Sequence, residues 1–127
     1  MSLSRKLAEP TLHEYMRCWA EDDRDGWLAL FAPDATLEDP VGAPVLAGAE
    51  AIAAFWDRIH QGDMDMRCEL DRIVVCGDEA LMIFCVVTAG AGVEMRVQIA
   101  DLFTFNDQGK IATMRAFWDD QCMSMAS

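Results

Sequence analysis

The sequence predicts an α+β fold in which three N-terminal helices pack on one face of a curved antiparallel sheet. Three observations carry this prediction. Apolar residues recur at helical spacing through the first half of the chain. The second half alternates with period two or is apolar throughout, and turn residues separate its runs. The 127 residues read as one domain, 1–127, large enough to bury a core without disulfide or metal staples.

Each element follows from its residues. Leu12, Tyr15, Met16 and Trp19 form the inward stripe of an amphipathic helix that ends near Asp22-Asp23. A short second helix, Arg24 to Phe31, turns Trp27, Leu28, Leu30 and Phe31 inward, and Pro33-Asp34 stops it. Ala35 to Asp39 reads as a brief strand closed by Pro40-Val41-Gly42. From Ala49 to His60 a third helix buries Ile52, Phe55, Trp56 and Ile59.

Strands come next. Cys68 to Cys76 is the first, followed by a Gly77-Asp78 turn. Leu81 to Thr88 is apolar enough to be covered on both faces. Ala89-Gly90-Ala91-Gly92 leads into Val93 to Phe105, and Asn106-Asp107-Gln108-Gly109 leads into Ile111 to Trp118. A bent sheet closed by helices encloses a cone, and the mouth of a cone is a natural apolar pocket.

Composition excludes several partners. Acidic residues outnumber basic ones 22 to 10, and no basic stripe is present, so nucleic acid and membrane surfaces are not expected partners. The five cysteines are odd in number and lack a CxxC pair, which reads as buried free thiols in a reducing compartment. His13 and His60 are far apart and lack companion ligands, so no metal site is expected. The N-terminus carries no signal-like apolar region and no run approaches a membrane span, so a cytoplasmic location is expected. Met1-Ser2-Leu3 stays open between native residues and an expression leader.

One residue breaks its pattern. In Val93, Met95, Val97, Ile99, Asp101, Phe103, Phe105, an acid sits in phase with the apolar face of a strand. An ionised carboxylate is costly to bury alone, so such a group takes up a proton and becomes a hydrogen-bond donor. The alternative is an acid satisfied by backbone or water, or a register break at a sheet edge. Tyr15, the chain's one tyrosine, lies on the inward helix stripe, either as an ordinary core aromatic or as a placed phenol. Asp39 shares strand phase with Leu37 and Ala35, so it points inward unless Asp39-Pro40 merely opens a turn.

Taken together, these segments resemble a known family. Leu37-Glu38-Asp39-Pro40-Val41-Gly42, the Tyr15 helix, Asp101-Leu102-Phe103-Thr104-Phe105-Asn106 with Gly109-Lys110, and Met114-Arg115-Ala116 are similar in order and separation to the bacterial Δ5-3-ketosteroid isomerases. The similarity runs from about Leu12 to Trp118. It implies the cone-shaped fold of nuclear transport factor 2. It also implies that Asp39 is a catalytic base and that Tyr15 and Asp101 are oxyanion-hole donors. That family is itself an established instance of a carboxylic acid kept neutral by its apolar site. The strand phase of Asp101, in contrast, is read from this sequence alone.

The resemblance also implies pocket walls at Phe55, Phe103, Met114 and Trp118, no metal or organic cofactor, and an apolar substrate such as a steroid or other polycyclic ketone. It implies a homodimer through the outer sheet face, where Ile111 and Phe117 would lie opposite Met114 and Trp118. The chain departs from the pattern at Phe31 and Trp56, where some members carry tyrosines hydrogen-bonded to the oxyanion tyrosine. The bulk of Trp56 and Trp118 narrows the expected substrate site. The competing expectations are a cyclase or isomerase of another polycyclic ketone using the same base, and a small-molecule-binding dimer without turnover.

Overall fold

A computed structural model describes residues 5–126; Met1-Ser2-Leu3, with its open question of origin, lies outside them. Helix α1 (Arg5–Glu21) and the one-turn α2 (Arg24–Leu28) precede β1 (Phe31–Glu38). A two-residue β2 (Leu46–Ala47) and helix α3 (Ala49–Ile59) complete the first half. Four long strands follow: β3 (Asp65–Cys76), β4 (Glu79–Gly90), β5 (Val93–Phe105) and β6 (Ile111–Phe117). A 3-10 turn (Asp120–Cys122) then leads into β7 (Met123–Ala126).

The strands form one sheet in the order β2-β1-β6-β5-β4-β3, with β7 pairing the far end of β5. All pairings are antiparallel except β1 with β6, which is parallel. The expected antiparallel sheet is therefore a mixed one. The cause is topological: α3 and the three strands β3 to β5 intervene, so β6 returns beside β1 in the same direction.

Helix α1 stops where expected, and Asp23 caps α2 by accepting from the Gly26 N–H at 3.0 Å. The second helix is shorter than its sequence suggests. Leu30 leaves it, and Phe31 to Asp34, read as helix end and stop, are already strand. Pro33 is tolerated because the β1–β6 register shifts between Phe31 and Thr36, so its missing N–H interrupts no regular ladder.

The apolar face of the sheet meets the helices. Leu12, Tyr15, Trp27, Leu37, Ile52, Met82, Phe103, Ile111 and Met114 are all fully buried there; each such side chain contributes roughly 1.5–3 kcal/mol on leaving water. In β4 the residues Met82, Phe84 and Val86 are buried while Leu81, Ile83 and Cys85 are half-exposed. The run read as covered on both faces is thus covered mainly on one within this chain, with Val87 fully buried on the other.

Two further expectations change. Ile111 is completely buried in the core and does not share the outer face with the exposed Phe117. A bulge explains it. Thr104 pairs with Thr113 but Phe105 pairs with Ile111, so Ala112 is an extra residue that reverses the phase of the strand before it. Of the five free cysteines only Cys18 is buried; Cys68, Cys85 and Cys122 are half-buried and Cys76 is exposed. None of the described helices is long and apolar enough to cross a membrane.

Candidate active site

Strand register places the two aspartates. Leu37 and Glu38 pair with Met114 and Arg115 in the parallel ladder, so Asp39, just past the strand, comes level with Ala116. The Val41 N–H donates to the Ala116 carbonyl at 2.8 Å and holds the segment there. On the other side of β6, Asp101 pairs with Ala116 directly. Two acids thus flank one alanine on the same sheet face, two strand spacings or about 10 Å apart across the sheet. Ala116 is fully buried, and its methyl group is the only side chain between them in that row.

Helix α1 brings in the phenol. Tyr15 is 1% exposed and stands edge-on to Phe103, ring centroids 5.4 Å apart. Phe103 is two residues beyond Asp101 on the same strand face, so phenol and acid share one end of the concave surface. Trp19 stacks against Tyr15 at 5.9 Å and Trp27 meets it at 5.7 Å.

Electrostatics agree with the geometry. Asp101 is 2% exposed, and burial first, then the charge of Asp39, holds its carboxyl far above the ordinary carboxylate range. Burial thus favours its protonated form over the carboxylate. Its Oδ1 is buried without a hydrogen-bond partner among the described residues, an arrangement that ordinarily costs about 1–3 kcal/mol. Burial, followed by Asp101 and Asp39, likewise raises Tyr15 well above the usual phenol range.

Asp39 is treated differently. It is half-buried, and burial raises its pKa. A hydrogen bond from the Trp118 indole opposes that rise: Nε1 donates to Asp39 Oδ1 at 2.6 Å. The anionic form of Asp39 therefore has a dedicated donor, which Asp101 lacks. Neighbouring Glu38 turns away, accepting from Gly42 N–H at 3.0 Å and Arg115 Nε at 3.1 Å.

The remaining expected residues fall into two groups. Phe103 and Met114 pair across β5 and β6 on the face that carries the aspartates, and Trp118 touches Asp39 itself. Phe55 and Trp56 pack instead around Trp27, at 6.4 and 5.1 Å between ring centroids. Trp56 also stacks on His60 at 3.7 Å. Two neighbours escape a sequence reading. Ala116 matters only through register, and Cys68, its thiol pushed up to about 12 by burial and then by Asp101, gives no local signal at all. Among the described residues no group of three His, Cys, Asp or Glu side chains is placed to hold a metal ion.

A surface groove of about 530 Å³ lies on the opposite face of the sheet and contains none of the three groups. Its lining includes Ile83, Cys85, Ala100 and Phe117, with Glu69 and Arg96.

The sequence matches the family model of the SnoaL-like domain over residues 12–114. The chain belongs to the SnoaL-like domain family. This SnoaL-like domain is 39% identical over 90 residues to the steroid Delta-isomerase of Nocardioides simplex, a span of 71% of this chain and 72% of that protein. RV0760c from Mycobacterium tuberculosis has the same fold, with TM-score 0.85 and 26% identity over 98% of this chain and 99% of its own. The complex of RV0760c with estradiol-17beta-hemisuccinate aligns over the same shares of both chains, with TM-score 0.79 and 27% identity. Homology to a named steroid Delta-isomerase supports an isomerase-type enzyme. The α+β architecture of helices on a curved sheet is the one expected, apart from its parallel pairing.

Proposed function

We propose that this protein moves a double bond from Δ5 to Δ4 in a 3-ketosteroid or a similar polycyclic ketone. One observation carries the reading: a buried acid with an unpartnered oxygen shares a sheet face with a half-buried acid that accepts a hydrogen bond. Two carboxyl groups held in opposite protonation states, with a phenol beside the neutral one, suit enolisation.

Each group has one task. Ionised Asp39 removes a proton from C4, α to the ketone, and the electron pair moves to make a dienolate with charge on the carbonyl oxygen. Tyr15 and protonated Asp101 donate hydrogen bonds to that oxygen. Asp39, now carrying the proton, returns it to C6; the ketone re-forms and the double bond lies in conjugation. No atom is gained or lost, and no redox partner enters. The steroid chemistry named for the Nocardioides simplex relative and the steroid bound to RV0760c favour this substrate class. Mixing the protein with a Δ5-3-ketosteroid and following conjugated-enone absorbance tests it; a rate equal to buffer would rule it out.

Trp118→Phe provides a finer test. It retains a ring against the core but deletes the N–H that stabilises the Asp39 anion. Hydrogen bonds to charged groups contribute about 1.5–3 kcal/mol, equivalent to roughly one to two pH units. The acid limb of the kcat/KM profile should move upward by up to that amount. An unmoved limb would mean that Trp118 does not tune the base.

The same proposal includes a homodimer through the outer sheet face. Phe117 is 42% exposed there, beside the half-exposed Ile83 and Cys85, and an apolar face of this kind is ordinarily covered. Sedimentation at micromolar concentration should show a dimer, and Phe117→Glu should shift it to monomer. A wild-type monomer would overturn this part.

A further inference from the structure

We propose that Trp27 is a positioning residue for Tyr15: as negative charge develops on the phenolic oxygen, the indole N–H donates to it and strengthens the phenol as a donor to a substrate oxygen. The inference rests on the oxyanion role proposed for Tyr15. Trp27 is fully buried, and its Nε1 has no hydrogen-bond partner among the described residues. Five aromatic rings surround it: Tyr15, Trp19, Phe31, Phe55 and Trp56. Only one of the five, Tyr15, carries an oxygen able to accept.

Orientation separates Trp27 from the other nearby indole. Trp19 also has an unpartnered Nε1, but its ring lies nearly parallel to Tyr15, at 18°. Its N–H, which lies in the ring plane, therefore runs alongside the phenol. Trp27 stands at 60° to Tyr15 with ring centroids 5.7 Å apart, an inclined approach that lets an in-plane N–H reach across to the partner. The indole already favours the ionised phenol slightly, against the much larger effect of burial, without a closed hydrogen bond. When Tyr15 shares its proton with an oxyanion, negative charge grows on Oη and draws the indole in. Chained hydrogen bonds of this kind polarise one another. Phe31 and Trp56 occupy positions where some family members carry tyrosines bonded to the oxyanion tyrosine; Trp27 supplies a different donor to the same oxygen.

The chain's single tyrosine makes the test direct. In full-length protein labelled with 13C at tyrosine Cζ and 15N at tryptophan, Trp27→Phe should move the Tyr15 Cζ resonance. Reciprocally, Tyr15→Phe, which deletes only one oxygen, should move the Trp27 Nε1–H resonance while the other indoles stay in place. With a Δ5-3-ketosteroid, Trp27→Phe should lower kcat about 3–10-fold, the effect of one neutral hydrogen bond, with KM within about twofold. Reciprocal resonances that do not move would overturn the proposal, even if Trp27→Phe lost activity through poor folding. So would an unchanged kcat in a folded variant of an active enzyme. Reciprocal shifts in a wild type that turns over no steroid would support the indole–phenol bond and count against the isomerase reading alone.

Discussion

Asp39→Asn is expected to lower kcat for a Δ5-3-ketosteroid by at least about a thousandfold while leaving the fold intact. A positioned general base is ordinarily worth 10²- to 10⁴-fold, and here one carboxylate serves two proton transfers, so the upper part of that range applies. The substitution is nearly isosteric. Its amide oxygen can still accept from Trp118 Nε1, which now sits 2.6 Å from Asp39 Oδ1, and the Val41 N–H bond that anchors the segment is main chain. Structural damage is therefore a weak explanation for lost activity. Burial raises the pKa of Asp39, so the wild-type acid limb should lie above that of an ordinary aspartate and should vanish with the residue. Enone absorbance gives the rate, and circular dichroism checks the fold. Activity within tenfold of wild type would remove Asp39 from the proton path.

How much of this was legible in the sequence depends on whether the signal was local. The phase of Asp101 was, because alternation from Val93 to Phe105 runs unbroken and the strand has those same limits. The inward stripe of α1 was equally plain, with Leu12, Tyr15, Met16 and Trp19 all buried. Ile111 shows the limit. A single extra residue in β6 reversed its face, and a bulge leaves no mark in a run of seven residues. Pairing partners were also out of reach: that Asp39, Ala116 and Asp101 form one row follows from a parallel β1–β6 ladder, whose crossover spans most of the chain. The Trp118–Asp39 bond depends on that row. Strand β7 was missed because Met123 to Ala126 is short and wholly exposed, with neither period nor burial to reveal it.

Asp101→Leu should separate catalysis from stability. It removes one of two donors to the oxyanion, a change expected to lower kcat about 10²- to 10³-fold, while Tyr15 retains a residual rate. Stability should move the other way. Asp101 is buried with Oδ1 unpartnered, so an apolar side chain of similar size relieves an uncompensated polar group. The pH dependence identifies the cause. The folded pKa of Asp101 is raised well above the ordinary aspartate value of 3.8, so the unfolded chain releases this proton near pH 4 while the folded chain keeps it. Below about pH 4 both states are protonated, and the wild type then has its full stability from this group. As pH rises toward the folded pKa, only the unfolded state gains by ionising, and the wild type loses up to about 1.4 kcal/mol per pH unit. The melting temperature of Asp101→Leu should therefore exceed wild type by more at pH 7 than at pH 5, since the other carboxylates are common to both proteins. A stability gain that did not grow with pH would mean that Asp101 is not a buried neutral acid. A variant both slower and more stable would show that the acid is kept for its chemistry at a cost to the fold.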